Sequence, residues 1–132
     1  MRKIQGKTIF SVLVIALIIA ACRGGKDGST QSSTETGQEL FEKQTLGSAA
    51  GCKTCHSLES DVVIIGPSLA GVGSRATTRV ENQTAEEYLK ESILKPDAYL
   101  VEGFPSGVMP HYESQLSPEE VDNLVGYLLT LK

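Results

Sequence analysis

One pentapeptide, Cys52-Lys53-Thr54-Cys55-His56, constrains the fold of this chain more than any other stretch. Its two cysteines lie on one side of a helical turn, and a histidine follows the second cysteine directly. At this spacing both thiols can add to the vinyl groups of a single haem while the imidazole reaches its iron. We therefore predict one covalent haem c, held by Cys52 and Cys55, with His56 as an axial ligand. The chain must then enclose a large, flat, apolar group.

Two other uses of such a motif have to be weighed. A thioredoxin-type redox pair is normally found in a βαβ context, whereas this motif is flanked by a glycine-rich loop and a short helix. A structural zinc site usually takes four ligands from two spaced pairs, and the sequence contains no second cysteine pair. The haem interpretation is preferred over both.

The N-terminal 22 residues have the pattern of an export signal. Residues 1–7 contain three basic residues and no acid, and residues 8–21 form an apolar run of 14 residues. A membrane-spanning helix needs about 20 such residues, so the run is short for a span. The run ends in Ala20-Ala21-Cys22, which is similar to the lipobox of bacterial lipoproteins. We predict a lipoprotein signal peptide over 1–21 and lipid on Cys22; the alternative is an uncleaved, thin membrane anchor.

Residues 22–36 are rich in Gly, Ser and Thr, and this composition predicts a flexible tether between the lipidated Cys22 and a folded domain over 37–132. Residues 22–132 carry nine Lys and Arg against 16 Asp and Glu, a formal charge of −7. The acidic balance argues against nucleic acid as a partner. We expect the domain to be anchored on the extracytoplasmic (periplasmic) face of the cell membrane.

Helix signals recur along the domain, and they predict an all-α fold. A first helix is predicted over 38–46, followed by a loop of small residues. Thr84 and Ser117 each precede a glutamate by three positions, which is the spacing of a capping box. The helices that they open are predicted to run to about Leu94 and to the C-terminus. Residues 62–65 are apolar but isolated, and we predict a loop packed on the cofactor.

A second axial ligand is expected from the loop before the last helix. Met109 is the one methionine that remains after residues 1–21 are removed, and its thioether is a soft ligand that raises the potential of haem iron. The competitor is His111, and Pro110 between them makes the two geometries mutually exclusive. We prefer Met109 as the ligand and a solvent-facing or hydrogen-bonding His111.

The Gly66-Pro67-Ser68-Leu69 segment lies ten residues after His56 and is expected to complete the pocket. A ligating imidazole needs a partner for its second nitrogen, and the Pro67 carbonyl is predicted to supply one. Leu69 is expected to press against the ring. Arg75 is predicted to meet a propionate, with a solvated surface charge as the alternative.

With these residues the chain resembles the class I (mitochondrial-type) cytochromes c, over about 37–132. The resemblance implies a small fold of three or more helices and long loops around one haem, with crossing N- and C-terminal helices. In that crossing Gly37 and Phe41 match the first helix, while Leu124 and Tyr127 match the last. The chain departs from mitochondrial members in its longer stretch before Cys52, its lack of tryptophan and its lack of a docking ring of lysines.

The resemblance implies a one-electron carrier rather than an enzyme, without a small-molecule substrate. Its partners would be respiratory or photosynthetic membrane oxidoreductases. The combination of lipobox, tether and acidic domain looks like that of small mono-haem lipoproteins. Two alternatives remain open: a permanent subunit of a larger respiratory complex, such as alternative complex III or an oxidase, and a haem peroxidase.

Overall fold

A computed structural model describes the backbone of residues 29–132 and the side chains from residue 36 onward. The predicted signal peptide and Cys22 lie outside the described residues. The described chain forms five helices, α1 (Ser29–Glu42), α2 (Cys52–Cys55), α3 (Val72–Arg75), α4 (Ala85–Leu94) and α5 (Pro118–Thr130). A 3₁₀ turn, Ala76–Thr78, follows α3. One small hairpin pairs β1 (Thr45–Leu46) with β2 (Ala49–Ala50) in antiparallel register.

The predicted helix starts of α4 and α5 are confirmed. Thr84 accepts a hydrogen bond from the Glu87 amide and Ser117 accepts one from the Glu120 amide, while each glutamate accepts one from the cap amide in return. These reciprocal bonds satisfy amides that a helix start otherwise leaves unpaired. Helix α4 ends at Leu94, two residues before Pro96, because a proline disfavours helical geometry in the residue before it.

The prediction for α1 is wrong at both ends. The helix is already present at Ser29, the first residue whose backbone the structure describes, instead of from Gln38 onward, so residues 29–36 of the predicted tether are helical. The segment contains no proline, and its single glycine lies at the crossing with α5, so nothing interrupts the helix. The helix ends at Glu42 instead of Leu46, because β1 pairs with β2 through a turn at Gly47, whose φ is +59°. This hairpin was not predicted.

The terminal helices cross at a contact that only a glycine permits. A Cβ on Gly37 would lie 2.0 Å from the carbonyl oxygen of Asn123 and 2.8 Å from Cβ of Tyr127. One turn further along α1, the rings of Phe41 and Tyr127 pack at a centroid distance of 5.6 Å. The predicted crossing of the N- and C-terminal helices is therefore present.

The buried core continues from this crossing to α4. Leu124 of α5 is 1% exposed and Phe41 of α1 is 2% exposed. Tyr88, Leu89 and Ile93 form the buried face of α4, which packs on α5. None of the described helices is both long and apolar enough to cross a membrane.

We predict that Gly37→Ala lowers the free energy of unfolding by about 1–3 kcal/mol, since the added methyl group has to displace the α5 backbone. Gly126→Ala is the matched control, because a Cβ at Gly126 meets nothing within 4 Å. That variant should be neutral or up to about 1 kcal/mol more stable, as expected for glycine in a helix interior. Chemical denaturation of the haem-loaded proteins measures both. Equal stabilities for the two variants would contradict the role of Gly37 in the crossing.

Candidate haem site

A cavity of about 170 Å³ lies between the cysteine motif, α4, α5 and the loop before α5. Its lining is mainly apolar, with Phe41, Leu89, Leu124 and Leu128 among the contributing side chains. The structure brings six of the predicted site residues into this lining: Cys52, Cys55, His56, Pro67, Leu69 and Met109. An apolar cavity with two thiols, an imidazole and a thioether in its wall fits a covalently attached haem.

The imidazole of His56 is oriented by the carbonyl of Pro67, with 2.8 Å between Nδ1 and the oxygen. A carbonyl only accepts hydrogen bonds, so Nδ1 carries the proton and Nε2 keeps its lone pair. Burial lowers the pKa of His56, and the bond to Pro67 opposes this shift only in part. The ring is therefore neutral at pH 7, which is the form that binds iron.

The loop after the motif is folded closely against this ring. The amides of Ile65 and Gly66 donate to the carbonyl of Cys55 over 3.1 and 2.9 Å. A Cβ on Gly66 would lie 2.5 Å from Cε1 of His56. Any side chain at position 66 would therefore displace the imidazole from its place under the Pro67 carbonyl.

The cysteines lie on the single turn of α2, and both are half-buried without a disulfide bond among the described residues. Burial, with a smaller contribution from Cys55, raises the pKa of the Cys52 thiol to about 11. Cysteines of thiol-redox enzymes have a lowered pKa, since the thiolate is the reactive form. This environment disfavours the thioredoxin-type alternative.

Met109 and His111 lie in the same loop before α5 but in different surroundings. Met109 is half-buried, packs against the core and lines the cavity. The side chain of His111 is 60% exposed, and its Nε2 lies 3.4 Å from Oδ2 of Asp97 rather than in the cavity lining. The geometry favours Met109 as the second ligand, as the sequence predicts.

Arg75 is outside the cavity lining. Its guanidinium donates to the carbonyl of Ser68 over 2.9 Å and also to that of Ala70, so it braces the backbone beside Pro67. Contact between Arg75 and a propionate stays a prediction. Leu69 lines the cavity, and its amide is held by the Ser57 carbonyl at 2.8 Å.

The apolar stretch at residues 62–65 is a loop, as predicted, but it does not pack on the site as a whole. All four residues are 39–60% exposed, and Ile65 alone among them lines the cavity. Val63 forms an isolated antiparallel bridge with His56 but is absent from the lining. The bonds from Ile65 and Gly66 to Cys55 turn only the end of the loop inward. The prediction that this stretch covers the cofactor is therefore wrong for three of its four residues.

Sequence reasoning missed Tyr112, which lines the cavity and is 3% exposed. Its hydroxyl donates to the carbonyl of Ala50 over 2.5 Å, which joins the loop after Met109 to the approach to the cysteine motif. Burial raises the pKa of Tyr112 to about 12, so the hydroxyl stays protonated as a donor. The sequence shows only an aromatic residue three positions after Met109. Its hydrogen-bond partner, Ala50, lies 62 residues away, so no local pattern marks the pair.

Comparison with known proteins agrees with this site. The family model described as Cytochrome c matches residues 34–132. Cytochrome c2 iso-2 of Magnetospirillum molischianum is 32% identical over 88 residues, which cover 61% of this chain and 91% of that protein. Cytochrome c2 iso-2 of Magnetospirillum fulvum is 31% identical over 87 residues, with the same coverage. The chain thus belongs to the cytochrome c family: it is a class I mono-haem cytochrome c, an electron-transfer protein with one covalently bound haem c rather than an enzyme.

Proposed function

We propose that this protein is a membrane-anchored one-electron carrier whose haem c is attached through Cys52 and Cys55 and ligated by His56 and Met109. The observation that carries the proposal is the arrangement of one neutral, oriented imidazole and one thioether in the lining of the same apolar cavity. Its partner is a respiratory or photosynthetic membrane oxidoreductase, to which it passes electrons or from which it accepts them.

The haem supplies a reversible one-electron couple when bound. The chain holds its two ligands in place from different directions. The Pro67 carbonyl and Gly66 fix the ring of His56, while the packing of Met109 against the core keeps the thioether at the cavity. A soft thioether favours ferrous iron, and the apolar lining excludes water, so both features raise the potential. Ligands that stay bound in both oxidation states keep the reorganisation small.

We predict that Met109→Ala abolishes the near-infrared sulfur-to-iron band of the ferric protein and lowers its reduction potential, because the thioether is lost as a ligand. Val108→Ala is the matched control, since Val108 is 49% exposed and also lines the cavity but carries no ligand atom. It should keep the band. Optical redox titration of both variants measures the two quantities. A Met109→Ala protein with the wild-type spectrum and potential would refute the proposed ligation.

The proposed anchoring rests on residues 1–22, whose basic start, apolar run and terminal Ala20-Ala21-Cys22 have the order of a lipoprotein signal. Lipid on Cys22 would hold the domain on the extracytoplasmic face of the cell membrane. Tethering at the membrane raises the effective concentration of a carrier near a membrane-bound partner.

We predict that the exported wild-type chain begins at Cys22 and incorporates a labelled fatty acid, and that Cys22→Ser loses this label while keeping its haem spectrum. The cysteine thiol is the acceptor of the lipid, and it lies outside the haem-binding domain. Mass spectrometry of the N-terminus gives the cleavage site. An unlabelled wild-type chain that still begins at Met1 would instead support the uncleaved anchor.

Three side chains that line the cavity are also about half exposed, namely Ile65, Leu100 and Val108, and we call them the apolar rim. Residues 29–132 carry seven basic and 15 acidic residues, so the domain that bears this rim has a formal charge of −8. We propose that the partner presents an apolar contact surrounded by basic residues, because complementary charge speeds encounter and apolar contact stabilises the complex.

We predict that Val108→Ser slows oxidation of the reduced protein by membranes of the source organism about three- to tenfold, while oxidation by ferricyanide stays unchanged. The interface loses part of a buried valine, whereas a small inorganic ion needs no interface. Val63→Ser is the matched control, since Val63 is 60% exposed and does not line the cavity. The wild-type rate should fall as salt rises, because salt screens charged encounter. Equal slowing by both variants would contradict docking at the rim.

A further inference from the structure

The carboxylate of Asp97 contacts the Met109 loop at two points. One oxygen, Oδ1, accepts a hydrogen bond from the amide of Gly107 over 2.8 Å. The other, Oδ2, lies 3.4 Å from Nε2 of His111. Gly107 lies two residues before Met109 and His111 two residues after it. A single carboxylate therefore contacts the loop on both sides of the methionine.

The loop has little else to hold its backbone. The structure describes residues 105–111 in full. Their backbone groups make no hydrogen bond to another backbone group of the described residues. The Gly107 amide donates its hydrogen bond to the Asp97 side chain instead. Gly107 has a φ of +74°, and a Cβ there would meet nothing within 4 Å. Glycine is therefore favoured at position 107 because the backbone there is left-handed and turns its amide toward Asp97. Close packing does not require it.

Asp97 itself is placed by a rigid part of the fold. It follows Pro96, directly after α4, whose last turn is buried through Ile93. The Ala98 amide bonds to the Lys95 carbonyl over 2.9 Å, which closes the turn around it. A hydrogen bond to a carboxylate is stronger than one between neutral groups. Because Asp97 directly follows the end of α4, its bond to Gly107 fixes the loop relative to this helix.

We propose that Asp97 is a positioning residue for the sixth ligand: its carboxylate clamps the 107–111 loop and thereby keeps the Met109 sulfur directed at the haem iron. This inference rests on the ligation by Met109 proposed above. The clamp shifts the equilibrium between a closed loop with the sulfur bound and an open loop with the iron accessible. Losing the clamp raises the open fraction, and an external ligand that binds only the open form then binds more tightly by the same factor.

The test is the titration of the ferric, haem-loaded protein with imidazole, followed by loss of the sulfur-to-iron band. Asp97→Ala removes both contacts and should raise the apparent imidazole affinity about three- to fivefold, the effect of a solvent-accessible hydrogen bond to a charged group. Asp97→Asn keeps an acceptor for the Gly107 amide and should give a smaller increase. His111→Gln, which removes only the weaker contact, should change the affinity about twofold or less.

Two controls separate positioning from other effects. Glu102→Ala removes an exposed carboxylate five positions after Asp97. This carboxylate makes no hydrogen bond or ion pair among the described residues, so the variant should leave the affinity unchanged. Gly73→Ala destabilises the fold where α3 meets the end of α5, because a Cβ there would lie 2.5 Å from the carbonyl oxygen of Leu129. Gly73 does not line the cavity, so this variant should also leave imidazole binding unchanged.

An Asp97→Ala protein with the wild-type band and wild-type imidazole affinity would overturn the inference and leave the proposed function intact. Imidazole affinity raised equally by Gly73→Ala would also overturn it, because the effect would then follow overall stability. A wild-type protein without the sulfur band, together with an unchanged spectrum in Met109→Ala, would instead refute the ligation on which the inference rests.

Discussion

The close contact between Gly37 and the carbonyl of Asn123 sets how the terminal helices cross, and the haem cavity depends on that crossing. Helix α1 contributes Phe41 to the cavity wall, and α5 contributes Leu124 and Leu128. A chain of this size buries too little surface to form a large core alone, so the haem has to complete it. The cavity is therefore both the binding site and the missing centre of the core.

The two proposed iron ligands are held by different means. The imidazole of His56 is hydrogen-bonded to the Pro67 carbonyl and packs closely against Gly66. The guanidinium of Arg75 donates a hydrogen bond to the backbone next to this segment. Met109 lies in a loop without backbone hydrogen bonds of its own between residues 105 and 111. The histidine side is built as a rigid support, while the methionine side relies on the contacts of Asp97, which follows α4, and on the hydrogen bond from Tyr112 to Ala50. This asymmetry makes the methionine side the one at which a single substitution can open the site.

Much of this architecture could be predicted from local patterns. The capping boxes at Thr84 and Ser117 located α4 and α5 because their bonds join residues three positions apart. The bond from His56 to the Pro67 carbonyl was predicted because chemistry requires a partner for the second nitrogen. The C-terminal limit of α1 was predicted wrongly because a hairpin over residues 45–50, whose stability comes from packing, replaced the expected last turn.

By itself the sequence determined the cofactor, its attachment and the helical character of the domain, since these follow from the spacing of the cysteine motif and from local capping chemistry. Only the tertiary structure decided which polar groups serve the site. Asp97 reaches Gly107 across ten positions and Tyr112 reaches Ala50 across 62, and no local pattern marks either pair. Arg75 likewise turned to backbone carbonyls rather than into the cavity lining. The physical reason is that side-chain hydrogen bonds depend on how loops are brought together in space, whereas motifs and caps depend on neighbours along the chain.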